Sequence, residues 1–240
     1  MQITREAGAG RMSEYKALNT IAYEHLRKMI YAGELEFNKV YSETKLAARL
    51  SISRTPTRDA LNRLAQERYI DILPNRGFAL HTPSQADIIE AFHVRMMIEG
   101  YCGNIVARHY PDPAARAAIE RMEDALYRQQ HLLEDDNAYS LSQFWLDDVA
   151  FHKAPMEYVN IFSLICQYER FMYVFMPHHL IRECDQHQKQ PFTLERHKST
   201  LIEHAEITEA LKSHDSERLQ AAIRTHIESS MKALYTSMGG

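Results

Sequence analysis

The chain has 240 residues, 45% of them hydrophobic, and a formal net charge of −4, which suits one large domain or two smaller ones without covalent staples. Its three cysteines, Cys102, Cys166 and Cys184, are odd in number and lack paired metal spacing, so they argue against a disulfide framework and for a reduced intracellular protein. No apolar run reaches the roughly 20 residues of a membrane span and the N-terminus lacks the basic-then-apolar order of a signal peptide, so a cytoplasmic location without membrane contact is expected.

The charge is unevenly placed. Residues 1–80 carry 13 Lys/Arg against 9 Asp/Glu, whereas residues 81–240 carry 15 against 23. A basic leading part before an acidic one suggests a footprint for a polyanion confined to a small N-terminal domain. Residues 1–14, with Gly8, Gly10 and no apolar period, read as a flexible arm. From Asn19 or Thr20 a helix runs to about Ala32, with Ala22, Leu26, Met29 and Ile30 as its stripe and Gly33 as its stop. Ser42 caps a second helix from Glu43 to about Leu50 that buries Leu46, Ala47 and Leu50.

A third helix follows the turn Ser51-Ile52-Ser53, with Thr55 as its expected N-cap and Pro56 as its first residue. Ala60, Leu61, Leu64 and Ala65 form its packing face, while Arg54, Thr57, Arg58 and Asn62 are expected elsewhere around its first turns. A helix N-terminus carries orphan N–H groups and a positive dipole, so arginines there make a tip that seeks phosphate and guanine. A surface helix with solvated arginines is the competing reading. Two β-like runs, Tyr69 to Leu73 and Gly77 to Leu80, flank the turn Pro74-Asn75-Arg76. Three helices followed by a hairpin is the order of a winged helix-turn-helix.

Thr82-Pro83-Ser84 breaks the chain and divides a domain at 15–82 from one at 83–240. Beyond it every element reads as helix. The first runs from Ile88 to about Arg108 and the next, after Pro111-Asp112-Pro113, to about Leu133. Then come Ala138 to about Lys153, Asn160 to about Met176, Phe192 to about Lys212, and Asp215 or Ser216 to about Tyr235. Pro155, Pro177 and Pro191 are expected between elements. The fold class is therefore mostly α: a winged helix-turn-helix followed by an all-α bundle of six or seven helices.

Eleven of the thirteen histidines lie beyond residue 82. Asp148 and His152, four apart, share one helix face. His204 and His226 lie equally far from a turn near His214-Asp215. On antiparallel helices they sit at one depth and face each other, where helical bundles build metal sites. For any single histidine the alternative is a surface or hydrogen-bonded core residue. Three imidazoles and one carboxylate suit a first-row divalent metal ion, zinc being favoured over nickel or another. His178, His179, His187, His197 and His214, near helix ends or loops, are expected to be solvated.

Gly33-Glu34-Leu35, Ser42-Glu43, Leu46-Ala47-Ala48-Arg49-Leu50, the run from Ser53 to Leu61, and Asn75-Arg76-Gly77-Phe78 stand together at a recognisable spacing. By them the N-terminal region resembles the GntR family of bacterial transcription regulators. The resemblance implies that Arg54 and Arg58 contact DNA from the recognition helix. It also implies that Arg76 and Gly77 form a wing tip reaching the minor groove, and that Thr55 and Thr57 add backbone or base contacts. Asn38, Ser51 and Arg68 stand where that family usually has glycine, which at Ser51 and Arg68 implies strain or altered caps. Thr44 stands where some relatives place a DNA-contacting arginine.

The second domain resembles the FCD ligand-binding domain of the FadR-type branch. The residues that carry the likeness are the Arg95-x-x-x-Glu99 run, Asp148 to His152, Asn160, Glu203-His204 and His226. It implies a divalent metal held by Asp148, His152, His204 and His226, and an effector, often a small carboxylate, in the remaining positions. Arg95 is the first candidate to grip that carboxylate and Arg170 the second; an internal pair of Arg95 with Glu99 is the alternative. The joint expectation is a metal-containing, effector-responsive regulator that binds a palindromic DNA operator as a homodimer. Two rivals remain. One is a metalloenzyme activating water at open metal positions, for which no nucleophile motif is present and Glu203 is expected to point to another face of its helix. The other is a metal-stapled structural bundle without an effector.

Overall fold

The computed structural model describes the backbone of residues 3–134, 140–175 and 193–237, and within it the side chains of 17–134, 140–170, 172 and 193–234. The chain divides into two compact units, Met1–Thr82 and Pro83–Gly240.

In the first unit, α1 (Ile3–Tyr31), α2 (Glu43–Leu50) and α3 (Arg54–Gln66) precede an antiparallel hairpin of β1 (Ile70–Leu73) and β2 (Gly77–Leu80). Ala22, Leu26, Met29 and Ile30 of α1 are buried with Leu46 and Ala47 of α2 and with Ala60, Leu61 and Leu64 of α3; Ile70, Phe78 and Leu80 of the hairpin are buried too. The helical stripes read from the sequence are thus the core, except that Leu50 and Ala65, expected on them, are only half-buried. At the end of α1, Glu34 N–H donates to the Met29 carbonyl (2.9 Å) and Gly33 N–H to that of Ile30 (3.0 Å). This paired closure needs the left-handed φ of 66° that Gly33 adopts.

Two boundaries differ from expectation. α1 reaches back to Ile3 and takes in the segment expected as a flexible arm. Glu6, Ala7, Ala9, Arg11 and Met12 are good helix formers with no proline among them, so a helix propagates there without the apolar stripe that periodicity detects. α3 begins at Arg54 with Ser53 as its cap residue, two positions before Thr55. Pro56 still lies in the first turn, where its missing N–H leaves no helical bond unmade.

Asn38, Ser51 and Arg68 all adopt left-handed φ, at 60°, 54° and 58°. At Ser51 the paired closure recurs: Ile52 N–H donates to the Ala47 carbonyl and Ser51 N–H to that of Ala48, both at 3.1 Å. The backbone keeps the geometry suited to glycine and the side chain bears a strain of about 1 kcal/mol. In the hairpin, Tyr41 extends the sheet by exchanging two backbone hydrogen bonds with Phe78, at 2.7 and 2.9 Å. Gly77 has φ 120°, and a Cβ there would lie 2.0 Å from the Tyr41 carbonyl oxygen, so only glycine fits.

The second unit consists, among the described residues, of α4 (Gln85–His109), α5 (Pro113–Glu134), α6 (Leu141–Val159), α7 (Phe162–Phe175), α8 (Leu194–Lys212) and α9 (Ser216–Ser237). Ser84 and Asp87 form a reciprocal capping box at the start of α4. Val106, Met122, Phe151, Leu211, Leu219 and Ile227 are part of a core shared by α4, α5, α6, α8 and α9. A second cluster, including Ile98, Cys102, Trp145, Tyr168 and Met172, joins α4, α6 and α7. The α8–α9 turn contains His214 at φ 57°, whose Nδ1 lies 2.7 Å from the Ala107 carbonyl oxygen.

Pro155, expected between helices, lies inside α6. Ala154, Pro155 and Met156 are all buried, and their packing offsets a helix-interior proline's cost of about 3 kcal/mol. α6 runs on to Asn160, whose φ of 54° makes it the cap of that helix rather than the opening of the next. Pro177, Pro191, Cys184, His178, His179 and His187 lie outside the described residues.

Candidate metal centre and DNA-reading surface

His152 on α6, His204 on α8 and His226 on α9 meet in the bundle, all at most 3% exposed. Their ring centroids lie 5.0, 4.9 and 4.7 Å apart pairwise, and one ring nitrogen from each falls within 4.8 Å of the others. The α8–α9 hairpin brings His204 and His226 level, and Phe151 stacks on His204 at 3.9 Å.

Each Nδ1 points outward to an acceptor. His152 meets Glu99 Oε2 at 2.9 Å, His204 meets Gln129 Oε1 at 3.1 Å, and His226 meets Glu203 Oε2 at 2.9 Å. Gln129 donates its amide N–H to the Phe144 carbonyl at 3.2 Å, which leaves its oxygen for His204. An ionised carboxylate or an amide oxygen only accepts, so each Nδ1 bears the proton and each Nε2 keeps a lone pair facing the centre.

Asp148, one turn before His152, lies beside two of the three rings. Its Oδ1 lies 3.4 Å from His204 Nε2 and its Oδ2 3.9 Å from His152 Nε2. Arg95 reaches in from α4: Nη2 is 2.7 Å from His152 Nε2 and 3.2 Å from His226 Nε2, while Nε pairs with Glu99. The internal pair Arg95–Glu99, expected as the alternative to an effector contact, is therefore formed, and the same guanidinium also faces the histidines. His204 Nε2 is buried without a hydrogen-bond partner. Arg170 is half-buried on α7, which packs against the helices carrying Arg95 and His152. Beside Glu99 and His152 a cavity of about 20 Å³ is walled by Met122, Phe151, Ile207 and Leu211, room for roughly one water.

Burial, aided by Arg95 and the neighbouring rings, holds His152 and His204 well below the ordinary histidine value. Burial also lowers His226, against the pull of Glu203. All three are therefore neutral imidazoles rather than cations. Burial pushes Asp148 up to about 6, opposed by Arg95. Burial alone would raise Glu203, but hydrogen bonds from Arg196 and His226 outweigh it and hold it at about 2. Three inward lone pairs, that of His204 without a hydrogen-bond partner, and a carboxylate form a cation-seeking environment in which Arg95 supplies the positive charge. The nitrogen-rich, oxygen-completed donor set fits a first-row divalent ion.

Two contributors escaped the sequence reading. Gln129 has no signature in sequence. Glu203, expected to point to another face of its helix, does leave His204's face but meets His226 on the antiparallel neighbour; its heptad relation to Arg196 was the readable signal. His197, expected to be solvated, is 3% exposed and packs on Phe144 of α6 with ring centroids 4.5 Å apart.

In the first unit, Arg54, Thr55, Arg58 and Asn62 are exposed on the N-terminal half of α3, and Arg76 is exposed between the wing strands. Arg58 donates from Nε to Glu43 at 3.2 Å. Thr57 belongs elsewhere: it is 0% exposed and donates its hydroxyl to the Ser53 carbonyl at 3.0 Å. Residues 57, 60, 61 and 64 form one i, i+3, i+4, i+7 face, so Thr57 packs rather than reads.

Comparison with known proteins follows this division. The model of the bacterial regulatory proteins of the gntR family matches residues 18–80, and that of the FCD domain matches residues 90–229. An uncharacterized HTH-type transcriptional regulator in an unstable DNA locus of Streptomyces ambofaciens is 32% identical over 134 residues, which cover 56% of this chain and 53% of that protein. The chain thus spans about half the length of that curated relative. The HTH-type transcriptional repressor RspR of Escherichia coli (strain K12) is 24% identical over 234 residues, 91% of this chain and 89% of that protein. The solved structure of E. coli McbR/YncC superposes with a TM-score of 0.66 at 16% identity, covering 92% of this chain and 99% of that one. At that identity the likeness concerns the fold alone.

Proposed function

The chain belongs to the gntR family of bacterial regulatory proteins, with an FCD domain after its helix-turn-helix domain, and from that premise we propose that it is a metal-containing transcription regulator responding to a small carboxylate. It acts on DNA as a homodimer at a palindromic operator, in the cytoplasm where chromosomal DNA lies. No helix among the described residues is long and apolar enough to cross a membrane. Arg54, Thr55 and Arg58 read the operator from α3 and Arg76 reaches it from the wing, while Gly77 serves the wing's packing. One recognition helix covers only a half-site, so two copies spaced one DNA turn apart account for a full operator.

The observation that carries the sensor reading is the convergence of three inward Nε2 atoms and the Asp148 carboxylate. Asp148, His152, His204 and His226 would hold the ion, zinc being favoured, and bound there it would supply Lewis-acid positions for an effector oxygen. Charge supports an anionic effector. The carboxylates of Glu99, Asp148 and Glu203 face the guanidiniums of Arg95 and Arg196, leaving one net negative charge that a divalent ion turns into one net positive. A monoanion such as a carboxylate then balances the buried cluster. Arg95 would meet it as a fork donor, with Arg170 second.

A water-activating enzyme is disfavoured because the neighbouring carboxylates are committed, Glu203 to His226 and Arg196 and Glu99 to His152 and Arg95, and the family consists of regulators. The effector changes DNA affinity by favouring one placement of the two domains over another. Metal analysis and operator titration test both halves. Retained stoichiometric metal in a His152→Ala/His204→Ala/His226→Ala variant overturns the sensor reading. Unchanged operator affinity in Arg54→Ala and Arg58→Ala variants overturns the reader assignment.

A further inference from the structure

Glu203 has a role that its sequence neighbour His204 does not announce. Its Oε2 accepts from two helices at once: from Arg196 Nη2 on its own α8 at 2.7 Å, and from His226 Nδ1 on α9 at 2.9 Å. Its other oxygen, Oε1, accepts from Arg196 Nη1, also at 2.7 Å, so the fork is bidentate. Arg196 Nη2 further donates to Ser230 Oγ at 3.1 Å, one helical turn beyond His226. The guanidinium thus bridges α8 and α9 and holds the carboxylate in the one orientation that receives the imidazole proton. An ordinary i, i+7 ion pair would need neither the shared oxygen nor the Ser230 contact.

We propose that Glu203, clamped by Arg196, is the positioning residue that fixes His226 with its Nδ1 proton outward and its Nε2 lone pair inward, and so raises this ligand's affinity for a first-row divalent cation. The inference rests on reading the cluster as a metal centre. Glu99 and Gln129 stand in the same relation to His152 and His204. Glu203 differs because a second, separate arginine fixes it, away from the centre that Arg95 enters. Outer-shell carboxylates of this kind set the tautomer and basicity of a ligating histidine.

The test uses Co(II) as the probe on the full-length chain, with affinity from chelator competition and the visible absorption of the bound ion as a second readout. The expected result is Co(II) binding about 10- to 100-fold weaker in Glu203→Gln and at least as weak in Glu203→Ala, with a shifted visible spectrum. In a His226→Ala background the same Glu203→Gln change is expected to alter affinity less than about twofold, because the residue acts through His226. Metal-free melting curves of all variants check that the fold persists. Parent-like affinity and spectrum in Glu203→Gln, or an equal loss with and without His226, overturns the proposal. If the parent chain binds no Co(II), the metal reading itself fails, a result distinct from a parent that binds and a Glu203 variant that matches it.

Discussion

Arg95 Nη2 lies 2.7 Å from His152 Nε2, a buried guanidinium donating to the lone pair of a neutral imidazole. An arginine in that position satisfies the histidines as a cation does, so a metal ion bound there would compete with Arg95 for the same lone pairs. Arg95→Gln is expected to bind Zn(II) at least as tightly as the parent in a chelator competition. It should nevertheless lose roughly tenfold or more of its affinity for a small carboxylate, the size of one charge-assisted hydrogen bond. Weaker Zn(II) binding would mean that Arg95 supports the site instead of competing with the ion.

The exposed arginines of α3 are expected to carry base discrimination. Arg54→Ala and Arg58→Ala should each lower operator affinity by about 1–3 kcal/mol, read by titration of a palindromic duplex at fixed salt. Thr57→Val should leave base preference as it is and shift only the melting temperature, since the hydroxyl serves the Ser53 carbonyl. A change in preferred sequence in Thr57→Val would contradict its packing role.

Backbone geometry makes opposite forecasts at two positions. Gly77→Ala drives a Cβ to within 2.0 Å of the Tyr41 carbonyl oxygen at φ 120°, and the first unit should lose about 2 kcal/mol or more. Ser51→Gly relieves a left-handed serine at φ 54° and should gain about 0.5–1 kcal/mol, the relief being offset in part by a freer unfolded chain. Denaturant midpoints measure both, and a stabilised Gly77→Ala or a destabilised Ser51→Gly contradicts the assignment.

His197 sets a pH dependence outside the cluster of His152, His204 and His226. Burial first and Arg196 second lower it from 6.5 to about 4. On acidification the unfolded chain therefore binds the proton before the folded one does. The stability concerned is fully present above pH 6.5 and is lost as pH falls toward 4, on the order of 3 kcal/mol. Urea midpoints of His197→Gln should fall less steeply across that window than those of the parent, and parallel curves would remove His197 from the account.

Much of this protein is determined by local chemistry that the sequence displays. The stripe Ala22, Leu26, Met29 and Ile30, the cap at Ser42, the glycine stop at Gly33 and the hairpin around Pro74-Asn75-Arg76 each depend on neighbours a few residues away, and periodicity and capping rules read such relations directly. The pairing of Asp148 with His152 is local in the same sense. His204 and His226 could be matched because one short turn relates their helices. Tertiary structure decided the rest. Pro155 inside α6, the buried His197, the Gln129 contact and the Glu203 bridge to His226 depend on which face of a helix a distant element covers. Residues adjacent in sequence on a helix project about 100° apart, so a carboxylate that turns away from the histidine beside it can meet another only where a second helix packs. Helix periodicity assigns a side chain to a face, and only packing between helices assigns a partner to that face.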